Sequence, residues 1–426
     1  MNIKKLATHK FVQGGFLFTF ISLFIGFLSY VFNSLSAKLL GPQVYSELAT
    51  FTAYSVVLSI PITTLTTDII RRIGAMEQDQ TVAIARWERL LYKRSFKYVW
   101  VLPLFFALAY VFGRAANIGY TTSLTLLFIS LLSVYWGFYV ASFQAMHWFG
   151  LYSALMISVI GLKLLGPLIP IPGITRLEGI LIFILISNIV TIFLGRKLFS
   201  DRHKKISAIK ENEIVGRLRK IVTNKTLIIT MLSLVAMNLF NNLDVMIARK
   251  ILSSYESGLY ASWSLFAKII FYVTGPLTAF SLIFFSSHKY KDHHSKALVG
   301  LVVLLFLVGT VMSIMYQIMG PFLIRLVFSE EYLPVNQYLP LAGIFGVTYS
   351  GIFFFNSYYL SRASNYCLIG LAALPIYAAA LLFFGKTSAS IIQVNILFSG
   401  ALFIFYIASV LHYNRVQWNK KTKATS

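Results

Sequence analysis

Ionisable side chains buried in long apolar runs are the first place to look for chemistry in this chain. Lys268 follows Tyr260-Ala261-Ser262-Trp263-Ser264 and precedes Ile269-Ile270-Phe271-Tyr272. A charge at the centre of a membrane helix costs about 2.5–3.5 kcal/mol on insertion scales, so it normally faces protein or water. Lys268 is therefore read as facing a cavity, with a structural ion pair as the alternative. Asp244 ends the run Asn238-Leu239-Phe240-Asn241-Asn242-Leu243-Asp244. At about 100° per residue, Asn238, Asn241, Asn242, Asp244 and Arg249 fall within roughly 160° of one helix face. Lipid cannot satisfy such a stripe, so it must meet a partner helix or water. Interhelical amide bonding with an Asp244–Arg249 or Asp244–Lys268 pair serves as well as a binding role. Lys163 precedes Gly166-Pro167 and Pro170-Ile171-Pro172, where a broken helix can line a cavity. Asp68 and Arg72 form an i,i+4 pair, acid first, with Thr64 on the same face. Arg71 and Arg72 also suit the inner end of a span, with Asp68 as counter-ion. Lys38 and Lys250 sit near span ends, where snorkelling accounts for them. The deeper groups, Lys163, Lys268 and Arg249 against Asp244, make the interior net basic. Such an interior favours an anionic ligand.

Other chemistries find little support. Gly385-Lys386-Thr387-Ser388 imitates the end of a phosphate-binding loop, but Ala380 stands where the motif needs its first glycine. His288, His293 and His294 lie near Asp292, with a spacing that fits no standard zinc pattern. The single cysteine, Cys367, excludes an internal disulfide and a cysteine zinc site. No cofactor or metal is expected. With no nucleotide motif, energy must come from ion gradients, membrane potential or the substrate's own gradient.

The elements that must hold these residues are membrane helices. Hydrophobic residues make up 58% of the 426 and charged residues 12%, with mean hydropathy +0.75. A soluble domain carries about 25% charged residues. Runs long enough to cross a bilayer are expected at 12–37, 44–70, 98–113, 121–146, 148–169 and 179–199, then at 226–248, 257–286, 297–319, 336–360, 365–384 and 388–411. With the N-terminus inside, most of the 37 Lys and Arg fall on one side, in the N-terminus, 71–97, 196–225 and the C-terminal tail. That asymmetry is the positive-inside rule, with both termini cytoplasmic. The charge of +23 thus meets anionic membrane lipids, and a nucleic-acid partner is the poorer reading. The basic stretches 71–97 and 200–225 suit either short interfacial helices or solvated loops that fix topology. Aromatic residues near span ends, among them Trp136, Trp148 and Trp418, suit an interfacial belt.

The chain also appears twice over. Lys38-Leu39-Leu40 and Tyr45-Ser46-Glu47-Leu48-Ala49 parallel Lys250-Ile251-Leu252 and Ser257-Gly258-Leu259-Tyr260-Ala261, and Tyr152 parallels Tyr366. The expected organisation is an N-terminal six-helix lobe (1–204), a basic cytoplasmic linker (205–225), a C-terminal six-helix lobe (226–411) and a cytoplasmic tail (412–426). Like halves in a membrane protein usually hold a ligand near the bilayer midplane.

Leu40-Gly41-Pro42-Gln43-Val44-Tyr45-Ser46, Asn242-Leu243-Asp244 with Ser257-Gly258-Leu259-Tyr260, and Leu326-Val327-Phe328-Ser329-Glu330-Glu331-Tyr332 carry a resemblance. Over its whole length the chain resembles the Wzx-type oligosaccharide flippases of the polysaccharide transporter family, within the superfamily of multidrug and oligosaccharidyl-lipid exporters. Ser46 and Ser329 depart from the glycine common there. The resemblance implies an all-α, MATE-like integral membrane fold of about twelve helices in two six-helix lobes, with alternating access to a central cavity. It further implies export of a polyprenyl-diphosphate-linked oligosaccharide repeat unit across the bacterial cytoplasmic membrane for surface polysaccharide, O-antigen included. Glycan polymerase and chain-length proteins are then the expected company. Basic residues would meet the diphosphate: Lys268 first, then Lys163 and Arg249. Asp244 falls where the family is often acidic, and Asn238, Asn241, Asp68 and Arg72 complete the candidate site. Three competitors remain. A cation-coupled drug exporter would need a mainly acidic cavity. A glycan polymerase or ligase would need a sizeable outer loop, and the longest here spans about 320–335. A lipid II flippase for peptidoglycan is the third.

Overall fold

A computed structural model describes residues 10–74, 76, 80–97, 102–203, 225–286, 294–362 and 364–425. No strand occurs among them. The helices in order are α1 Lys10–Leu58, α2 Ile60–Gly74, α3 Gln80–Lys97, α4 Leu102–Ala116, α5 Tyr120–Ala145, α6 Phe149–Leu168 and α7 Arg176–His203. Then follow α8 Lys225–Phe240, α9 Leu243–Ile251, α10 Ser254–Ser286, α11 His294–Val327, α12 Leu339–Ser361, α13 Ile369–Phe384 and α14 Ser388–Thr425. Short 3₁₀ turns at Glu330–Tyr338 and Asn365–Leu368 precede α12 and α13.

Eight of these stretches are long and apolar enough to cross a bilayer, and the bent pair α8–α9 makes a ninth. The first, Leu23–Thr67, has 45 residues. At 1.5 Å per residue that is about 68 Å, twice the hydrocarbon thickness, so it supplies two spans. Adding the shorter α4 and the 33-residue α10 gives six spanning elements in each half. The chain is an all-α, multi-pass membrane protein.

Local chemistry marks the ends. Thr175 and Glu178 form a capping box on α7, with Thr175 N donating to Glu178 Oε2 (3.0 Å) and Glu178 N to Thr175 Oγ1 (3.3 Å). Thr387 caps α14 by accepting from Ser390 N (3.2 Å), so the Gly385-Lys386-Thr387 run is a helix start and no phosphate loop.

Two compact units emerge: Met1–Leu40 with Glu47–Asn224, and Gly41–Ser46 with Lys225–Ser426. In the first, α5 packs on α2 and α7, and α6 packs on α7. Its core gathers Ile69, Ile73, Phe138, Tyr139, Phe143, Tyr152 and Phe199. In the second, α12 is the central helix, packed on α10, α11 and α14. Small residues allow that crowding: a Cβ at Gly346 would meet the Ala267 carbonyl at 2.6 Å.

The sequence repeat has a structural meaning. Helix α1 breaks at Gly41 (φ 68°, ψ 167°), and the 212-residue counterpart breaks between α9 and α10 at Leu252 (φ −88°, ψ 163°). Each copy of the motif thus ends one span and starts the next. The segment Gly41–Ser46 packs with the second unit, its Pro42 carbonyl lying against Gly258 and the Tyr45 ring edge-on to Tyr332 at 6.4 Å.

Candidate functional site

In the second unit the site begins with a broken helix. The stripe expected on one continuous face is divided, because α8 ends at Phe240 and α9 starts at Leu243 with a bend of 42°. The cause is local. Asn238 Nδ2 donates to the Leu234 carbonyl (3.0 Å), and Asn242 Nδ2 donates to the Asn238 carbonyl (2.8 Å). Amide side chains that bond their own backbone compete with the helical ladder. Asn242 takes φ −133°, ψ −19°, and Asn241 N reaches the Met237 carbonyl at 3.2 Å. Asn238 and Asn242 therefore serve the break itself.

Asp244 then falls in the first turn of α9, where the helix dipole favours an anion. It is 1% exposed. Its Oδ2 accepts from Tyr260 Oη (2.5 Å), with Ser264 Oγ at 3.5 Å. Tyr260 Oη accepts from Asn395 Nδ2, and Tyr377 Oη donates to Asn395 Oδ1 (2.7 Å). Helices α9, α10, α13 and α14 each contribute one link to this chain. Tyr260, Ser264 and Lys268 are spaced i, i+4, i+8, so one face of α10 carries all three. Lys268 is thereby held in electrostatic range of Asp244. Among the described residues no carboxylate lies within 4 Å of it. Among the described residues Asp244 makes no ion pair within 4 Å with Lys268 or Arg249; Lys268 shares the α10 face whose Tyr260 meets Asp244.

Arg249 goes elsewhere. It is 7% exposed at the far end of α9, and its Nη1 donates to Ser46 Oγ (2.5 Å), which in turn donates to the Gln43 carbonyl (2.6 Å). It thus holds the Gly41–Ser46 segment within its unit. A cleft of about 210 Å³ in the same unit is lined by Glu256, Tyr260, Trp263, Gln337, Tyr338 and Ser388.

In the first unit Lys163 lies on α6 with its Nζ 4.1 Å from the centre of the Phe32 ring, a fully buried side chain of α1. A cation over an aromatic face is attracted by the ring quadrupole. Among the described residues no carboxylate lies within 4 Å of Lys163. Asp68 and Arg72 are on α2, but their side chains lie outside the described residues, as do those of His288, Asp292, His293 and His294. No group of three metal-ligating side chains occurs among the described residues. The sequence reading missed Tyr260, Asn395 and Tyr377. Asn395, an amide inside the apolar run 388–411, was the signal available for the network.

No protein-family model matches the chain, and no curated protein matches its sequence. Solved structures do match. An inward-facing multidrug resistance MATE family transporter of the MOP superfamily aligns with TM-score 0.68 at 12% identity, covering 91% of this chain and 95% of that one. Lipid II flippase MurJ, in an inward closed conformation, aligns at 0.66 and 12%, covering 93% and 87%. An outward-facing MATE transporter of the same superfamily aligns at 0.60 and 14%, covering 96% of both. The chain therefore has the fold shared by MATE transporters and the MurJ flippase.

Proposed function

We propose that this chain is a flippase that carries a polyprenyl-diphosphate-linked oligosaccharide from the inner to the outer leaflet of the bacterial cytoplasmic membrane, for surface polysaccharide assembly. The observation that carries this reading is Lys163, an amine inside an apolar helix set over the Phe32 ring with no carboxylate within 4 Å among the described residues. A cation kept without a carboxylate beside it is ready for a phosphate-bearing headgroup. Lys268 is the second candidate, its charge set against Asp244, and Arg249 supports the fold around it. Asn238 precedes and Asn241 lies within the break that places Asp244, and Asp68 and Arg72 stay candidates of the first unit.

The fold is also that of a flippase for a lipid-linked substrate, lipid II, which supports a substrate of that kind. A drug exporter for cations is the second reading, favoured by the MATE likeness and disfavoured by the basic candidates. The transport step needs no bond making or breaking. Outward movement of an anionic headgroup, with the cell interior negative, releases about 2.3 kcal/mol per charge per 100 mV. Both termini are assigned to the cytoplasm from the distribution of Lys and Arg, and a glycan polymerase and chain-length protein would receive the product.

Gene deletion followed by lipid extraction tests the proposal. Build-up of a polyprenyl-diphosphate-linked glycan accessible only from the cytoplasmic side is expected. Unchanged lipid-linked intermediates together with higher sensitivity to cationic drugs would replace it with the exporter reading.

A further inference from the structure

The cleft of the second unit is walled by the first three turns of α10, the 3₁₀ turn Glu330–Tyr338 and the start of α14. With both termini in the cytoplasm, all three are outer ends of their spans. Hydrogen bonds fix this wall. Trp263 Nε1 donates to the Tyr338 carbonyl (2.8 Å), and Ser388 Oγ donates to the Glu256 carbonyl (3.4 Å). Trp263 also stacks on Phe345 of α12, with ring centres 5.5 Å apart. The cleft is thus formed before any ligand arrives, as small-molecule sites usually are.

Its lining decides the ligand. Leu259, Pro334 and Ile392 are apolar, and exposed Glu256 is the one charged lining residue among those described. The Gln337 amide and the Tyr338 hydroxyl make no hydrogen bond among the described residues. Gln337 offers donors and an acceptor, Tyr338 a hydroxyl, and Glu256 acceptors alone. With no cation in its lining, the cleft does not suit a diphosphate. It suits a neutral ring that turns hydroxyl groups to the carboxylate and amide and carbon–hydrogen faces to the Tyr338 ring and the apolar wall. Its volume, about 210 Å³, is of the size of a single sugar ring. We infer that this cleft is an outer saccharide subsite, in which Glu256, Gln337 and Tyr338 hold one sugar of the glycan as its headgroup leaves the membrane. The inference rests on the flippase reading and adds to it a place that recognises sugar and not phosphate.

The test uses full-length protein in nanodiscs, with the single cysteine removed by Cys367→Ser and a new one placed in the lining by Ala389→Cys. The probe is the oligosaccharide freed by mild acid from the lipid that builds up in the deletion strain. At millimolar concentration it should slow labelling of A389C by a membrane-impermeant maleimide. Glu256→Gln in the same background should raise the oligosaccharide concentration needed for protection by about 10-fold, the usual effect of losing a charged acceptor. Gln337→Ala, on the exposed surface of the 3₁₀ turn, should act in the same direction and serves if E256Q fails to fold. Lys38→Gln, an exposed cation of the first unit, should leave protection unchanged. Absence of protection, with glycan still building up in the deletion strain, overturns the subsite and leaves the flippase reading standing. A deletion strain without build-up overturns both. Protection by sodium chloride alone would make the cleft a cation site and overturns the sugar assignment.

Discussion

Lys163 and Lys268 are the same side chain in the same setting, an apolar helix, and the two units treat them differently. In the first unit, Lys163 lies over Phe32 with no carboxylate within 4 Å among the described residues. In the second, Lys268 shares the face of α10 whose Tyr260 bonds Asp244, so a buried acid opposes its charge. An unopposed cation in a low dielectric attracts an anionic ligand strongly. A cation balanced from inside the protein holds the fold at least as much as it holds a ligand. A lysine within a span therefore says little by itself, and the group that faces it decides what it does.

The largest effect should come from the unopposed cation. Lys163→Ala removes a charge-assisted contact worth about 1.5–3 kcal/mol. Export of the lipid-linked glycan should fall by about 10- to 100-fold, measured as build-up in the inner leaflet at unchanged protein level. Lys163→Arg should keep part of the activity. Export that survives Lys163→Ala while Lys268→Ala abolishes it would reverse the roles of the two units.

The second unit should answer in stability. Asp244→Ala takes the acceptor from Tyr260 and removes the carboxylate on the Lys268 side of α10, so D244A and K268A should each unfold more readily than the wild type. Neighbouring charges in one network couple by about 0.5–3 kcal/mol, so D244A/K268A should be less unstable than the two losses added. Thermal unfolding in detergent measures the cycle. Strict additivity would mean that Asp244 and Lys268 do not sense each other.

These differences mark how far the sequence could be read. Span positions, the six-and-six division and the repeat junctions followed from hydropathy and motif spacing, because a bilayer imposes length and polarity directly on the chain. Lys268 and Asp244 were visible for the same reason, as charges among apolar neighbours. Their partner choice was not. Helical periodicity assumed an unbroken span through 238–249, and the bonds from Asn238 and Asn242 to their own backbone ended it. Once α9 starts anew at Leu243, Arg249 turns to Ser46, a residue about 200 positions earlier that spacing along one helix could not reveal. Tyr260, Asn395 and Tyr377 escaped because tyrosine in a membrane helix reads as belt or core until its hydroxyl partner is known. Glu47 is similar: it accepts from Gly119 N (2.7 Å), an anion at the start of α5.

The repeat junctions set the two halves apart once more, with smaller effects. Gly41 and Ser253 are equivalent at an offset of 212, and each starts a span by a different device. Gly41 adopts φ 68°, ψ 167°, a region open in practice to glycine alone, and Pro42 follows it as the first residue of the next helical stretch. Ser253 instead begins α10 as a side-chain N-cap, accepting from Glu256 N (3.2 Å) with Glu256 Oε2 at 3.5 Å from its hydroxyl. Gly41→Ala should therefore cost about 1–3 kcal/mol, the strain of forcing a Cβ into that conformation. Ser253→Ala should cost about 1 kcal/mol, the usual loss of an N-cap, and Ser253→Gly only a few tenths. Thermal unfolding of the three variants ranks them. The order matters more than the sizes, because a first-half junction that accepts alanine as easily as the second would mean that the break at Gly41 relaxes into continuous helix. The packing of Pro42 against Gly258 and of Tyr45 against Tyr332 depends on that break, so Gly41→Ala should loosen both contacts, whereas Ser253→Ala leaves them in place.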